Sequence, residues 1–438
     1  MKKHIYAIIL IAILVLGLTL RAHQYATWPR EGATFDEYAW TWLGMSLWTT
    51  GVPTSWSPHQ AYTNRQSYIN PKGGAFTLVT PYLEHPPLFG IVAGGFALLA
   101  GERSFDDLEI RTIRLLALAL GTLSIFAVYL VAREVYGIDI GLLSGFLYAI
   151  IPSVAIGSRL VQNENFFIPF FLLSLYFLLR YLKTKSRRYF WLATGIASIL
   201  PLAKVPWIAA SLAVSLILLF KRRVKDVASV VLCTAACFFA FLLYGYVLDA
   251  QLFGTLWQMQ LARYDMNFDS IYALFRVPYL TDRLYLDGWI YAGWAALVLA
   301  SRNIKKHYVV LFGLLAYFFI YVLAIPNEPG HGWYRYPFYP FLTISLAAMA
   351  KELFNRDWIP TFFFLLFTGL SMLANVWAPL LGFSYVIYRL YILLCGVGLV
   401  PAVWPNTRAS KIIRRVNYVT LLVVMCLTVW SLLSYTEQ

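Results

Sequence analysis

The sequence predicts an all-α polytopic membrane protein, on three observations. Of 438 residues, 60% are hydrophobic and only 13% are charged, where soluble domains carry about 25%. Apolar runs of roughly bilayer-crossing length recur from end to end, and the mean hydropathy is +0.66. The formal charge of +14 sits in short clusters between those runs, as positive-inside loops do. With neither a basic domain nor a stacking platform, that distribution excludes a nucleic-acid partner and leaves membrane lipids as the surroundings.

The first element is "MKKHIYAIILIAILVLGLTLRA", a charged start and a long apolar run without a small-x-small cleavage site. It reads as an uncleaved first span with a cytoplasmic N-terminus. Further spans are expected near 111–131, 138–157, 165–182, 189–202, 205–220 and 227–248. Others follow near 288–301, 307–325, 337–350, 358–376, 383–403 and 417–434. The clusters "KTKSRR" (183–188), "KRRVK" (221–225), "RNIKK" (302–306) and "KIIRR" (411–415) should all face the cytoplasm. Counting back from the first, 165–182 enters from outside and 111–131 begins outside, so only one full crossing can precede residue 111. The short apolar segment 87–100 therefore reads as a juxtamembrane or re-entrant helix. It lies within one long external loop, 21–110. The result is about 13 spans, with a module 1–220 that includes this loop. A second module, 221–438, includes external loops 249–287 and 326–336. Cys233, Cys237, Cys395 and Cys426 all lie in apolar runs, where thiols act as small hydrophobes. They suggest neither disulfides nor a zinc site.

The polar residues outside the basic loops converge on the external face. In "GATFDEYAWTWLGMSLWTTG" (32–51), Thr34-Phe35-Asp36-Glu37 has the capping-box pattern, with Thr34 as N-cap and Glu37 reaching back. The box claims Glu37 and leaves Asp36 free to take a proton from a hydroxyl or to bind a metal. "YLEHPPLFG" (82–90) adds Glu84 and His85 before two prolines that set the approach to the next helix. Lys204, in the tight apolar turn "PLAKVPW", is a cation on the wrong side for the positive-inside rule, and Arg159, Arg263 and Arg335 are external as well. Any one of these could simply snorkel. Gathered over a deep apolar body, they suit the phosphate of a lipid-borne ligand. No glycine-rich phosphate loop is present, which argues against a nucleotide-using enzyme.

The order "DEYAWTWLGMSLWTTG", "EHPPLFGIVAGGFALLAG", "IRTIRLLALALGTLSIFAVYLVAREVYG" resembles the GT-C glycosyltransferases, nearest to the protein O-mannosyltransferases and the lipid A aminoarabinose transferases. The resemblance covers roughly residues 1–220 well and the remainder loosely. It implies a GT-C fold and an inverting transfer of sugar from a polyprenyl-phosphate-linked donor to a hydroxyl acceptor, on the external face. The acceptor, whether lipid, glycan or protein, is left open. By the same resemblance Asp36 matches the general base, and Glu84 falls on a position linked to a divalent metal ion. His85 replaces a lysine, Glu164 matches an acid on the same face, and Lys204 matches a lysine implicated in carrier-phosphate binding. In "QLARY", Gln260 stands where a histidine would precede Arg263, a departure from the family's metal site. Tyr336, after Arg335, resembles an aromatic lining the carrier pocket. Glu37 and Arg159 complete the group expected around the substrate. A transporter or flippase of lipid-linked sugar would share the span count and the buried charges, but neither inverted repeats nor broken midplane helices are evident.

The parity argument has a direct test. With the native cysteines replaced, a cysteine installed by Arg103→Cys should react with an impermeant thiol reagent from outside the cell. Reaction only from the cytoplasmic side would overturn this topology.

Overall fold

The computed structural model describes residues 2–31, 34–69, 75–262, 271, 273–274, 279–280, 283–284, 288–324, 332–355, 362, 366 and 384–434. The first helices are α1 (Lys2–Ala22) and α2 (Asp36–Thr50), followed by strands β1 (Ser55–Trp56), β2 (Arg65–Ile69) and β3 (Ala75–Val79). Next come α3 (Leu88–Leu99), α4 (Ile110–Tyr136), α5 (Ile138–Ile150), α6 (Pro152–Gly157), α7 (Asn163–Thr184) and α8 (Arg187–Ile199). Two 3-10 turns, Leu200–Leu202 and Val205–Ile208, lead into α9 (Ala209–Phe220) and α10 (Val224–Leu261). A two-residue pair, β4 (Tyr279–Leu280) and β5 (Arg283–Leu284), precedes α11 (Gly288–Ser301) and α12 (Ile304–Ala324). The 3-10 segment Gly332–Phe338 leads into α13 (Tyr339–Asn355), and α14 (Tyr385–Val397), α15 (Val400–Val403) and α16 (Arg408–Ser434) follow.

Six of these helices are long and apolar enough to cross a membrane: α1 from His4, α4, α7, α10, α12 and α16. Helical backbone also accounts for the described part of the other expected spans, apart from 358–376, which lies almost wholly outside the described residues. The expected span 138–157 is broken at Ile151, whose extended backbone separates α5 from α6 at Pro152. The core is the packing of α4 against α5 and α7, with α1 against both α5 and α4 and α9 beside α12. Arg21, near the end of α1, is fully buried. Its guanidinium donates to the carbonyls of Gly17 (3.1 Å), Tyr148 (3.2 Å) and Ala149 (3.2 Å). A cation in an apolar body is costly unless oxygens meet it, so these bonds from the two terminal nitrogens offset part of that cost and fasten α1 to α5.

The long first loop carries more structure than its sequence suggested. Strands β1 and β2 both pair antiparallel with β3, which is central. Phe76, Leu78 and Val79 of β3 are buried. Phe76 meets the rings of Phe35 and Phe105 at centroid distances of 4.9 and 5.1 Å. Ser55 of β1 donates to the Ala39 carbonyl (2.7 Å), which anchors the sheet on α2. Helix α3, the apolar segment 87–100, has 12 residues and is about 18 Å long, shorter than the hydrocarbon core of a bilayer. It packs on α2 at backbone contact. A Cβ on Gly44 would lie 1.7 Å from the Gly90 carbonyl oxygen, and one on Gly94 would lie 2.1 Å from the Met45 nitrogen. Small residues four apart on α3 are what permits so close an approach.

Loop 249–287 also begins differently from expectation. Helix α10 continues to Leu261 through a non-helical residue, Asp249 (φ −165°, ψ 98°). The Asp249 carboxylate accepts the Leu252 amide (2.9 Å), so it restarts the helix as an N-cap would.

Because backbone sits opposite Gly44, Gly44→Ala should destabilise the protein by about 1–3 kcal/mol. Gly195→Ala, in α8 with nothing within 4 Å of the added carbon, should be neutral or slightly stabilising. Thermal unfolding of the two purified variants in detergent checks the contrast.

Candidate active site

Helix α2 starts with two acids that have different environments. Glu37 has no exposed surface and neither has Arg114 of α4. The two form a bidentate pair, with Arg114 Nε to Glu37 Oε1 at 2.9 Å and Nη2 to Oε2 at 2.7 Å. Arg114 Nη1 also donates to the carbonyls of Tyr25 (2.7 Å) and Pro29 (2.6 Å). Glu37 Oε1 accepts one more bond, from the Val161 amide at 3.0 Å. This corrects the capping-box reading in one half. Thr34 Oγ1 accepts the Asp36 amide (3.2 Å), but Glu37 does not reach back to Thr34. A carboxylate buried this completely is drawn to a guanidinium, which a backbone amide cannot replace. Glu37 therefore lies behind the site, with both oxygens engaged by the protein.

Asp36 is only half-buried. Its Oδ2 accepts from Gln162 Nε2 (3.2 Å), and the same amide nitrogen lies 3.2 Å from Thr34 Oγ1. Gln162 was not singled out by the sequence reading. Its only signal was its place in "VQNENFFIPF", two residues before Glu164. That spacing matters, because Glu164 is fully buried and its Oε1 receives Lys204 Nζ at 2.9 Å. The other oxygen of Glu164 makes no hydrogen bond among the described residues.

Lys204 is itself buried, at 9% exposure. Its ammonium lies 4.6 Å from the centre of the Tyr334 ring and 5.5 Å from that of Trp207. Asn163 holds this turn in place, accepting from Trp207 Nε1 (2.6 Å) and donating to the Ala203 carbonyl (2.9 Å). Burial disfavours the charge on Lys204, but Glu164, Tyr334 and the nearby Asp36 outweigh it and raise its pKa above the usual lysine value. Asp36 and Lys204 are thus brought within electrostatic reach of one another.

A cavity of about 230 Å³ opens beside Lys204. Glu84, His85, Gln260 and Tyr334 share its polar wall, whereas Phe241, Leu256, Trp257 and Leu323 make an apolar one. His85 sits against Trp40, ring centres 5.4 Å apart. Glu84 faces His59, with Oε2 and Nε2 at 3.5 Å, and lies beside Tyr62, whose hydroxyl accepts the Leu83 amide. Burial, and then the charge of Glu84, raise the Tyr62 pKa. Among the described residues no third His, Cys, Asp or Glu joins this pair, so it does not by itself make a metal centre.

The remaining candidates divide. Arg159 is fully buried and donates to the carbonyls of Trp28 (3.1 Å) and Leu20 (2.9 Å), with its guanidinium 5.3 Å from the Trp28 ring centre. It braces the end of α1 and does not line the cavity. Arg335 is buried and donates to the Ala273 carbonyl (2.9 Å). Tyr336 is buried over Gly157, where an added Cβ would lie 2.4 Å from its hydroxyl. Arg263 lies outside the described residues.

The chain has the GT-C glycosyltransferase fold. It superposes on ArnT from Cupriavidus metallidurans, solved bound to undecaprenyl phosphate, with a TM-score of 0.59 at 14% identity, over 98% of this chain and 76% of that one. It is also similar to the archaeal oligosaccharyltransferase AglB from Archaeoglobus fulgidus, solved with an inhibitory peptide and a dolichol-phosphate. That match has a TM-score of 0.52 at 13% identity, over 95% of this chain and 56% of AglB. Residues 84–247 match the dolichyl-phosphate-mannose-protein mannosyltransferase family. No curated protein matches the chain by sequence.

If Glu37 is a structural anchor, Glu37→Gln leaves Arg114 buried with a weakened partner. It should cost about 3–5 kcal/mol of stability, seen as a lowered unfolding temperature, whereas Asp36→Asn should unfold near the wild-type temperature.

Proposed function

We propose that this chain is an inverting, polyprenyl-phosphate-sugar-dependent glycosyltransferase that acts on a hydroxyl acceptor at the external membrane face. One observation carries the reading. One segment binds both a half-buried carboxylate, Asp36, through Gln162, and a buried cation, Lys204, through Glu164, and Lys204 lines a cavity with a polar and an apolar wall. The apolar wall suits the isoprenoid next to the carrier phosphate, and Lys204 suits the phosphate itself. Residues 1–220 supply the catalytic groups in this reading, and α10 and α12 of the second module supply the carrier's wall. The similarity to ArnT and AglB, both solved with lipid phosphates, supports the donor class.

The chemistry follows from charge. The acceptor oxygen attacks the anomeric carbon, a new carbon–oxygen bond forms, and the bond to the carrier phosphate breaks on the opposite side. Asp36 takes the hydroxyl proton, with Gln162 holding the carboxylate as an acceptor. The charge that develops on the departing phosphate oxygen is met by Lys204. One displacement inverts the centre without a covalent enzyme intermediate.

The test is a pair of variants assayed with a polyprenyl-phosphate-linked sugar. Asp36→Asn should lower transfer at least roughly a hundredfold while donor binding is unchanged. Lys204→Ala should weaken donor binding, and Lys204→Arg should restore it only in part, because the geometry differs as well as the charge. An Asp36→Asn enzyme that turns over like wild type would overturn the assignment.

A further inference from the structure

Helices α4, α7, α9, α10 and α12 each have one end near the site just described and another end far from it. At the far end they enclose a second cavity of about 630 Å³. Its lining comes from the last turn of α4, the end of α7, the α9–α10 turn and the start of α12. Six cationic side chains line it, Lys183, Lys185, Lys221, Arg223, Lys305 and Lys306, against one carboxylate, Glu134. That carboxylate is already shared, with Lys183 at 2.8 Å, Arg133 at 3.2 Å and Arg180 at 3.6 Å. Arg223 has a counterion outside the lining, Asp226, at 3.7 Å. The cavity thus concentrates positive charge from segments far apart in sequence, well beyond what its one acid offsets.

The surface beside the cavity is apolar and open. Leu219 and Phe220 at the end of α9, Val224 at the start of α10 and Ile304 at the start of α12 are 38–66% exposed. The Lys221 ammonium lies 4.1 Å from the centre of the Tyr308 ring, at the border between the two zones. A basic cup with an exposed apolar rim between membrane helices matches an anionic headgroup continued by acyl chains. A soluble anion would use the cup and leave the rim without a role. We infer that this cavity binds the phosphates of an anionic glycerophospholipid, and that a headgroup with two phosphates fits its charge best.

The experiment uses the full-length protein, delipidated in detergent, and reads its unfolding temperature. Diphosphatidylglycerol at roughly a hundredfold excess over its dissociation constant should raise the temperature by about 3 °C. Phosphatidylcholine, inorganic phosphate and pyrophosphate should each raise it by less than half as much. The triple variant Lys185→Gln, Lys221→Gln, Lys305→Gln should unfold at the wild-type temperature without lipid and lose the rise with it. A control that removes the same charge outside the cavity, Arg408→Gln, Lys411→Gln, Arg415→Gln, should keep the rise. Loss of the rise in both triple variants would mean general attraction to a basic surface and would overturn the site. So would an equal rise with phosphatidylcholine, or with pyrophosphate, which would mark an anion site without a lipid. A cavity variant that already unfolds early without lipid is replaced by Lys305→Gln alone, for which a full rise with lipid counts against the site.

Discussion

The buried pair of Glu37 and Arg114 is the constraint on which the rest of the site depends. Neither side chain has exposed surface, and an isolated charge there would be far too costly to keep. The pair survives because every strong acceptor and donor finds a partner: two bonds between the side chains, two from Arg114 to the carbonyls of Tyr25 and Pro29, and one from the Val161 amide to Glu37. Those bonds tie the first loop, α2, α4 and the segment before α7 to one point. Once Val161 is fixed, its neighbour Gln162 reaches Asp36. Two residues further on, Glu164 reaches Lys204. The acid that looks like the second catalytic candidate is therefore the reason that the first one is in position.

Three further buried cations of this half of the molecule, Arg21, Arg159 and Lys204, differ in their partners. Arg21 and Arg159 donate to backbone carbonyls, which cannot move away and offer no net charge to exchange. Both hold the end of α1 against its neighbours, Arg21 through the carbonyls of Tyr148 and Ala149 and Arg159 through that of Leu20. Lys204 is paired with a carboxylate and two aromatic rings instead. An ammonium so held keeps its charge in an apolar setting, yet its three donors are not committed to fixed carbonyls. The external position expected for both did not separate Arg159 from Lys204 in the sequence. The identity of the partner does.

Much of the fold was legible because it follows from hydropathy and charge alone. The apolar helices, the basic turns between them and the short α3 are all local properties of the chain. The small sheet was not legible: β1 has two residues, and β2 and β3 of five residues each are joined through a polar stretch. Within the site, Asp36, Glu84, His85 and Lys204 stood out because acids, imidazole and a lysine are rare in apolar surroundings. Glu37 was misread for a physical reason. The capping box is a local pattern, and the partner that overrides it, Arg114, lies 77 positions away in the chain. Gln162 was missed because a neutral amide gives no signal until the carboxylate it serves is seen beside it.

The Glu164–Lys204 pair also bears on how the proposed reaction could turn over. The donor is a phosphodiester with one negative charge, and the released carrier is a phosphomonoester with up to two. Lys204 therefore attracts the leaving group more strongly as the bond breaks, which is the differential binding that lowers a barrier. The same attraction would hold the product in place. Glu164 limits this, because the ammonium that lets go of phosphate regains a carboxylate at 2.9 Å instead of remaining unpaired in an apolar pocket. A bare buried lysine would bind the carrier phosphate more tightly and release it more slowly. A lysine with a competing acid trades affinity for exchange, and a transferase that must discharge a spent lipid carrier at every cycle requires exchange.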